Sequence, residues 1–123
     1  MNLEEYKGVY VFAQQVDNEV SSIALELIGK GKDLAKDLNT TVTAVLVGSN
    51  VMGLTEILGE YGADRVIVVD DPELKEYRTE PYTHAIASVI KEFKPEIFLI
   101  GATAIGRDLG PRVCARIHTG LTA

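Results

Sequence analysis

Four short runs of large apolar residues alternate along this chain with longer segments in which apolar residues recur at helical spacing. The runs cover residues 9–13, 42–47, 66–69 and 97–100. Each run has the length of a strand, and each intervening segment has room for a helix. Strands that alternate with helices form right-handed crossovers, which place parallel strands in one sheet with helices on both faces. The sequence therefore predicts a doubly wound α/β fold.

The expected strand order is 3-2-1-4, counted along the chain. Ser21 or Ser22 is the expected N-cap of the first helix, residues 14–18 form a polar loop, Gly62 ends the second helix and Pro95 stops the third. The fourth strand, a continuous apolar run, is expected to be buried on both faces although it has no outer neighbour. Ligands of such sheets bind where the chain reverses direction, outside the carboxyl ends of the strands. We therefore expect a crevice lined by residues 13–15 and 101–103.

Composition excludes several classes of protein. With 123 residues, 46% hydrophobic and 24% charged, the chain fits one folded domain. The net charge of −6 disfavours binding to nucleic acid or to an anionic membrane, and no apolar run is long enough for membrane insertion. Cys114 is the single cysteine, which fits a reducing compartment, and the N-terminus lacks a signal peptide. We expect a cytoplasmic protein.

The fourth strand leads directly into a glycine-punctuated turn that opens a helix. Residues 101–108 read Gly-x-x-x-x-Gly-Arg-Asp, which differs from a phosphate-binding loop by Arg107 in place of lysine and Asp108 in place of a hydroxyl. Nucleotide hydrolysis is therefore not predicted. Unpaired N–H groups at a helix start can still hold an anion or a cofactor oxygen. Gly101, Thr103, Gly106 and Arg107 are the candidate crevice residues.

The remaining polar residues favour structural roles. Pro111 suits the first turn of a helix that Asp108 would cap, and Asp70 and Asp71 precede a proline as in a turn. Cys114 is expected to be a small buried side chain. His84 and His118 predict no metal site, and no nucleophile–base pair is present, so no catalytic residue is assigned. Arg112 and Arg116 share a helix face and form a basic stripe suited to docking.

Three segments carry a resemblance to a known family. Residues 101–113, followed by Ala115-Arg116 and Thr119-Gly120-Leu121-Thr122-Ala123, resemble the signature of the electron transfer flavoprotein alpha subunit within its N-terminal domain. The opening residues 8–15 and the segment 62–66 are similar to that family's first strand and to its entry into the third strand. The similarity extends from end to end.

The resemblance implies an adenine-nucleotide α-hydrolase-like, Rossmann-like fold and a heterodimer with a beta subunit. Residues 1–123 would be an incomplete alpha subunit, namely its N-terminal domain. FAD would be bound mainly by the absent C-terminal domain and by the beta subunit. Arg107, Arg112 and Arg116 would be interface candidates.

The implied function is that of an electron carrier rather than an enzyme by itself. It would pass electrons from a flavin dehydrogenase, such as an acyl-CoA dehydrogenase, to a downstream acceptor, and relatives from anaerobes extend this to NADH-dependent bifurcation. The alternative is a stand-alone adenine-nucleotide-binding module of the stress-protein type, which the same glycine-rich turn allows.

Overall fold

The computed structural model describes residues 5–117, which form a four-stranded parallel sheet between two layers of helices. The strands are β1 (Val9–Phe12), β2 (Gln15–Val16), β3 (Glu19–Val20), β4 (Val42–Gly48), β5 (Arg65–Asp70) and β6 (Ile97–Leu99). The α-helices are α1 (Ser22–Leu38), α2 (Thr55–Glu60), α3 (Thr79–Phe93) and α4 (Ala104–Ile117), and short 3₁₀ turns cover Met52–Leu54 and Pro72–Leu74. The sheet order β5-β4-β1-β6 confirms the predicted order and fold class.

Successive side chains of each strand enter opposite cores, as strand geometry requires. Val9 and Val11 of β1 pack in the core beneath α1 and α2. Tyr10 and Phe12 of the same strand pack in the core beneath α3 and α4. β1 and β4 are buried on both faces, which explains why their sequences are continuously apolar.

The prediction that the fourth strand is buried on both faces is wrong. All of residues 97–100 are half-buried, as are the apolar residues 66–69 of β5. Both strands lie at the edges of the sheet, so each has a neighbouring strand on one side only. An apolar run thus identified each strand, while its burial depended on its place in the sheet order.

The expected polar loop after β1 is also wrong, because this segment contains the two-stranded hairpin β2–β3. Asp17 and Asn18 form its turn with φ values of 53° and 62°. Two adjacent residues with positive φ are the requirement of a type I′ turn, which aspartate and asparagine tolerate. The polar composition therefore reflected a tight hairpin.

Local helix signals were mostly correct. Ser21 is the N-cap residue of α1, although its side chain makes no capping hydrogen bond. Gly62 follows α2 and has a φ of 122°, a conformation that glycine adopts readily. Expectations about His118 and the turn at residues 119–123 concern residues outside the described part of the chain. No helix within residues 5–117 is long and apolar enough to cross a membrane.

Candidate functional site

The expected crevice lies where β1 and β6 end side by side. Gln14 follows β1 and Thr103 precedes α4, and the Thr103 hydroxyl donates a hydrogen bond of 2.7 Å to the Gln14 amide oxygen. The Gln14 amide nitrogen donates in turn to the Ser21 hydroxyl, at 3.4 Å. The predicted meeting of residues 13–15 with residues 101–103 is therefore confirmed, and polar side chains join the two segments directly.

Thr103 also caps helix α4. The backbone N–H of Gly106 donates to the Thr103 hydroxyl oxygen at 3.0 Å, and the N–H of Arg107 donates to the Thr103 carbonyl at 2.8 Å. The helix begins at Ala104, so Pro111 lies inside it. The prediction that Asp108 caps a helix with Pro111 in its first turn is wrong, because Thr103 supplies a cap farther upstream.

The two glycines of the turn permit a close backbone approach. A Cβ atom added at Gly106 would lie 1.8 Å from the carbonyl oxygen of Gly101. A Cβ added at Gly101 would lie 3.1 Å from the side chain of Ile23 on α1. The spacing of the glycines therefore serves the packing of α4 against the end of β6 and of α1 beneath it.

The hairpin β2–β3 fills the space outside the carboxyl ends of β1 and β4. Gln15 is only 7% exposed, and its amide nitrogen donates to the carbonyl of Val47 at 3.1 Å. Its amide oxygen accepts the backbone N–H of Asn18 at 3.1 Å. A buried glutamine with both ends bonded holds the hairpin down against the sheet.

Donors that a flavin or adenylate group would need in the crevice are partly used within the chain. The hydroxyl of Thr103 bonds Gln14, the N–H of Gly106 bonds Thr103, and Gln15 of the hairpin bonds Val47 at the end of β4. Cofactor binding by Gly101, Thr103, Gly106 and Arg107 stays a prediction, and the geometry gives the first three residues a structural role instead. Arg107 differs, since its side chain is exposed and makes no hydrogen bond or ion pair among residues 5–117.

The three candidate arginines occupy different environments. Arg116 is half-buried and forms an ion pair with Glu80 in the first turn of α3. This hydrogen-bonded pair lowers the pKa of Glu80, with a smaller contribution from the charge of Arg112. Arg107 and Arg112 are both exposed. The basic stripe expected from Arg112 and Arg116 is therefore partly engaged by α3.

Asp108 belongs to a cluster that the sequence did not indicate. Its carboxylate accepts hydrogen bonds from the Tyr77 and Thr79 hydroxyls, each 2.6 Å long. These bonds, that of Thr79 first, lower the pKa of Asp108, with Arg112 adding a smaller effect. Burial, together with the bond to Asp108, raises the pKa of Tyr77 to about 12. The cluster ties the start of α3 to α4, and no local signal relates residues 29 and 31 positions apart.

The other polar candidates have structural partners. The Asp70 carboxylate accepts the backbone N–H groups of Asn50 and Val51, at 2.9 and 3.0 Å. Asp71 caps the 3₁₀ turn through the N–H of Glu73, which confirms the predicted turn. Cys114 is half-buried rather than fully buried.

Comparison with known proteins identifies relatives over the whole chain. A family model described as "Electron transfer flavoprotein domain" matches residues 9–123. Protein FixB of Clostridium saccharobutylicum is 51% identical over 123 residues, all of this chain and 36% of that protein. The electron transfer flavoprotein subunit alpha of Clostridium acetobutylicum is 50% identical, again over all of this chain and over 37% of that protein.

A more distant relative is named lactate dehydrogenase (NAD(+),ferredoxin) subunit LctC, from Acetobacterium woodii. It is 42% identical over 118 residues, which are 96% of this chain and 28% of that protein. This chain thus spans little more than a third of the length of the two Clostridium relatives.

One solved structure shares the fold without close sequence similarity. A universal stress protein in complex with cAMP matches with a TM-score of 0.56 and 15% identity, covering 93% of both chains. This likeness supports the α/β fold with a parallel sheet and says nothing further about this chain.

Proposed function

Because this chain belongs to the electron transfer flavoprotein domain family, we propose that it is the N-terminal domain of an alpha subunit that works in electron transfer. The observation that carries the proposal is the match of the whole chain, at about half identity, to proteins named FixB and electron transfer flavoprotein subunit alpha. The whole protein would carry electrons between a flavin dehydrogenase of the acyl-CoA dehydrogenase type and a downstream acceptor. We place it in the cytoplasm.

FAD would supply the one- and two-electron chemistry when bound, while the protein supplies orientation and electrostatics. Gln14 and Gln15 already bond Thr103 and Val47 in the crevice of this domain, and the resemblance to alpha subunits leads us to place the flavin outside residues 1–123, in a C-terminal domain and in the beta subunit. The half-buried edge strand β6 supports a larger assembly, because unprotected apolar edges are normally covered.

The role of this domain would be to dock the beta subunit. The exposed guanidinium groups of Arg107 and Arg112 lie on α4, which Asp108 and Arg116 fix to α3. A guanidinium binds a carboxylate with two parallel hydrogen bonds, so an acidic patch is the surface that this helix would recognise. Arg116 would contribute by holding α4 in place through its pair with Glu80.

The name of the Acetobacterium woodii relative includes both NAD⁺ and ferredoxin. Its similarity supports the finer proposal that the whole protein serves an NADH-dependent complex that divides electrons between two acceptors.

Co-expression with a beta subunit tests the proposal. The chain should co-purify in a 1:1 complex whose mass is measured by light scattering, and the charge reversals Arg107→Glu and Arg112→Glu should weaken it. Lys30→Glu is the matched control, because this exposed lysine lies on α1, on the other face of the sheet. Failure of the full-length alpha subunit to associate would refute the function, whereas a complex insensitive to both reversals would refute only the docking face.

The second candidate is a stand-alone adenine-nucleotide-binding module. The fold that this chain shares with a solved stress protein in complex with cAMP is the observation behind this candidate, and at 15% identity it shows the fold alone. The bonds of Gln14 and Gln15 within the crevice count against it. Calorimetric titration of the chain with AMP separates the two, because a binding module would give saturable heat with a dissociation constant on the order of 1 μM, whereas the docking domain would give none.

A further inference from the structure

A cavity lies at the end of the sheet opposite to the crevice, where the strands begin. Its volume is about 400 Å³, within the range of small-molecule sites. The lining residues lie just before β1, β4 and β5, in the first two residues of β1 and β5, and at the end of α3. They are Lys7, Gly8, Tyr10, Thr40, Thr41, Asp64, Arg65 and Phe93. None of these residues takes part in the crevice or in the α4 surface.

Arg65 is held in this cavity by two aromatic rings. Its guanidinium carbon lies 5.8 Å from the centre of the Tyr10 ring and 5.5 Å from the centre of the Phe93 ring. One terminal nitrogen donates to the Tyr10 hydroxyl at 2.5 Å, and Tyr10 itself is buried. Both rings lie within the distance at which an aromatic ring attracts a guanidinium. Its other N–H groups make no hydrogen bond or ion pair within residues 5–117.

The charges around the cavity are positive on balance, in a chain whose net charge is −6. Lys7 and Arg65 face a single acidic lining residue, Asp64, whose carboxylate already accepts the N–H of Val42 at 2.9 Å. Lys94 lies nearby in the chain fold, but it is neutralised by an ion pair with Glu5. Lys7 and Arg65 form no ion pair among the described residues, and together with Asp64 they give the charged lining of the cavity a sum of +1.

We propose that this cavity binds the oxyanion group of a small ligand, a carboxylate or a phosphate, through Arg65 and Lys7. A guanidinium is planar and offers the paired N–H groups that such anions accept. The hydroxyls of Thr40 and Thr41 lie at the same rim and can donate further hydrogen bonds. Helices α1 and α3 both end near this rim, and their C-terminal carbonyls oppose an anion, which limits the affinity.

The test is an NMR titration of the ¹⁵N-labelled chain with inorganic phosphate, and separately with acetate, at constant ionic strength. We expect saturable shifts of the Gly8, Thr41 and Arg65 amides with a dissociation constant on the order of 1 mM. Saturation by phosphate alone, by acetate alone or by both identifies the oxyanion class. Absence of saturable shifts with both anions would overturn the proposal.

Three variants localise the interaction. Arg65→Gln should weaken binding at least about tenfold, because it removes the charge-assisted hydrogen bonds. Lys7→Gln should weaken it about threefold, and because the Lys7 side chain forms no hydrogen bond or ion pair among residues 5–117, this variant remains informative if Arg65→Gln unfolds. Lys75→Gln removes an equal charge at the other end of the sheet, from an exposed lysine just after β5, and should leave binding unchanged. Loss of binding in Lys75→Gln, with retention in both other variants, would place the anion at that end of the sheet and refute the assignment.

Discussion

The substitution Gly106→Ala tests the close approach that defines the α4 corner. The added Cβ would lie 1.8 Å from the Gly101 carbonyl oxygen, whereas such contacts essentially never fall below 3.0 Å, so the two segments must separate by about 1.2 Å. Both groups are backbone-linked, and no side-chain rotation can relieve the clash. Forced overpacking of this kind costs about 3 kcal/mol. Alanine recovers about 1 kcal/mol through its helix propensity. We therefore expect a net destabilisation of about 2 kcal/mol.

Gly29→Ala is the matched control for this substitution. Gly29 lies in the middle of α1, and a Cβ added there meets no atom within 4 Å. This variant should be stabilised by about 1 kcal/mol, since only helix propensity changes. The same chemical change in two helices should thus have opposite effects.

Urea unfolding followed by circular dichroism measures both variants. A difference of about 3 kcal/mol separates their midpoints by at least about 1 M urea for a protein of this size. The reasoning is refuted if Gly106→Ala unfolds at the wild-type midpoint or above it with an unchanged dependence on urea. Equal destabilisation of both variants would also contradict it, because the cost would then not arise at the corner.

Three further predictions concern neighbouring groups. Thr103→Ala should cost about 1 kcal/mol in urea unfolding because α4 loses its cap, and Thr103→Ser should restore most of it. The pKa of Asp108 is lowered in the folded state, so its stabilising contribution is present above the ordinary value of 3.8 and is lost as the pH falls below it; Asp108→Asn should flatten the acid limb of a plot of stability against pH. The pKa of Tyr77 is raised from 10.0 to about 12, so the stability that Tyr77 contributes is complete below pH 10.0 and is lost as the pH rises toward 12. Tyr77→Phe should remove this loss of stability at alkaline pH. A titration followed by phenolate absorbance should then show one tyrosine fewer among those that ionise late.

Several features of the candidate site followed from the sequence. The glycine spacing at Gly101 and Gly106 marked the corner, and the strand order brought it beside the loop after β1. Arg107 and Asp108 in place of the phosphate-loop lysine and hydroxyl are the reason why hydrolysis is not predicted, and this stays a prediction. The sequence did not show that Gln14 and Gln15 form hydrogen bonds across the crevice. A glutamine pair has no distinctive pattern, and the partners lie 89 and 32 residues away, respectively.

The helix that leaves the corner shows how a local signal can mislead. Proline is common in the first turn of a helix, and this preference predicted a start of α4 near Pro111, whereas the helix begins at Ala104. Thr103 provides a cap farther upstream through the N–H of Gly106, three residues on, and this local spacing was also present in the sequence. Asp108 is then available to bind Tyr77 and Thr79.

By itself the sequence determined the alternation of strands and helices, the parallel sheet and the position of the glycine corner. Local apolar periodicity indicates the strands and helices, and the conformational freedom of glycine indicates the corner. Tertiary structure alone decided that the hairpin is bonded to the end of β4 and that Arg116 is paired while Arg107 is exposed. It also decided that Arg65 contacts the rings of Tyr10 and Phe93. These outcomes depend on which distant side chains come within hydrogen-bonding or contact distance, and the packing of the helices on the sheet sets those distances.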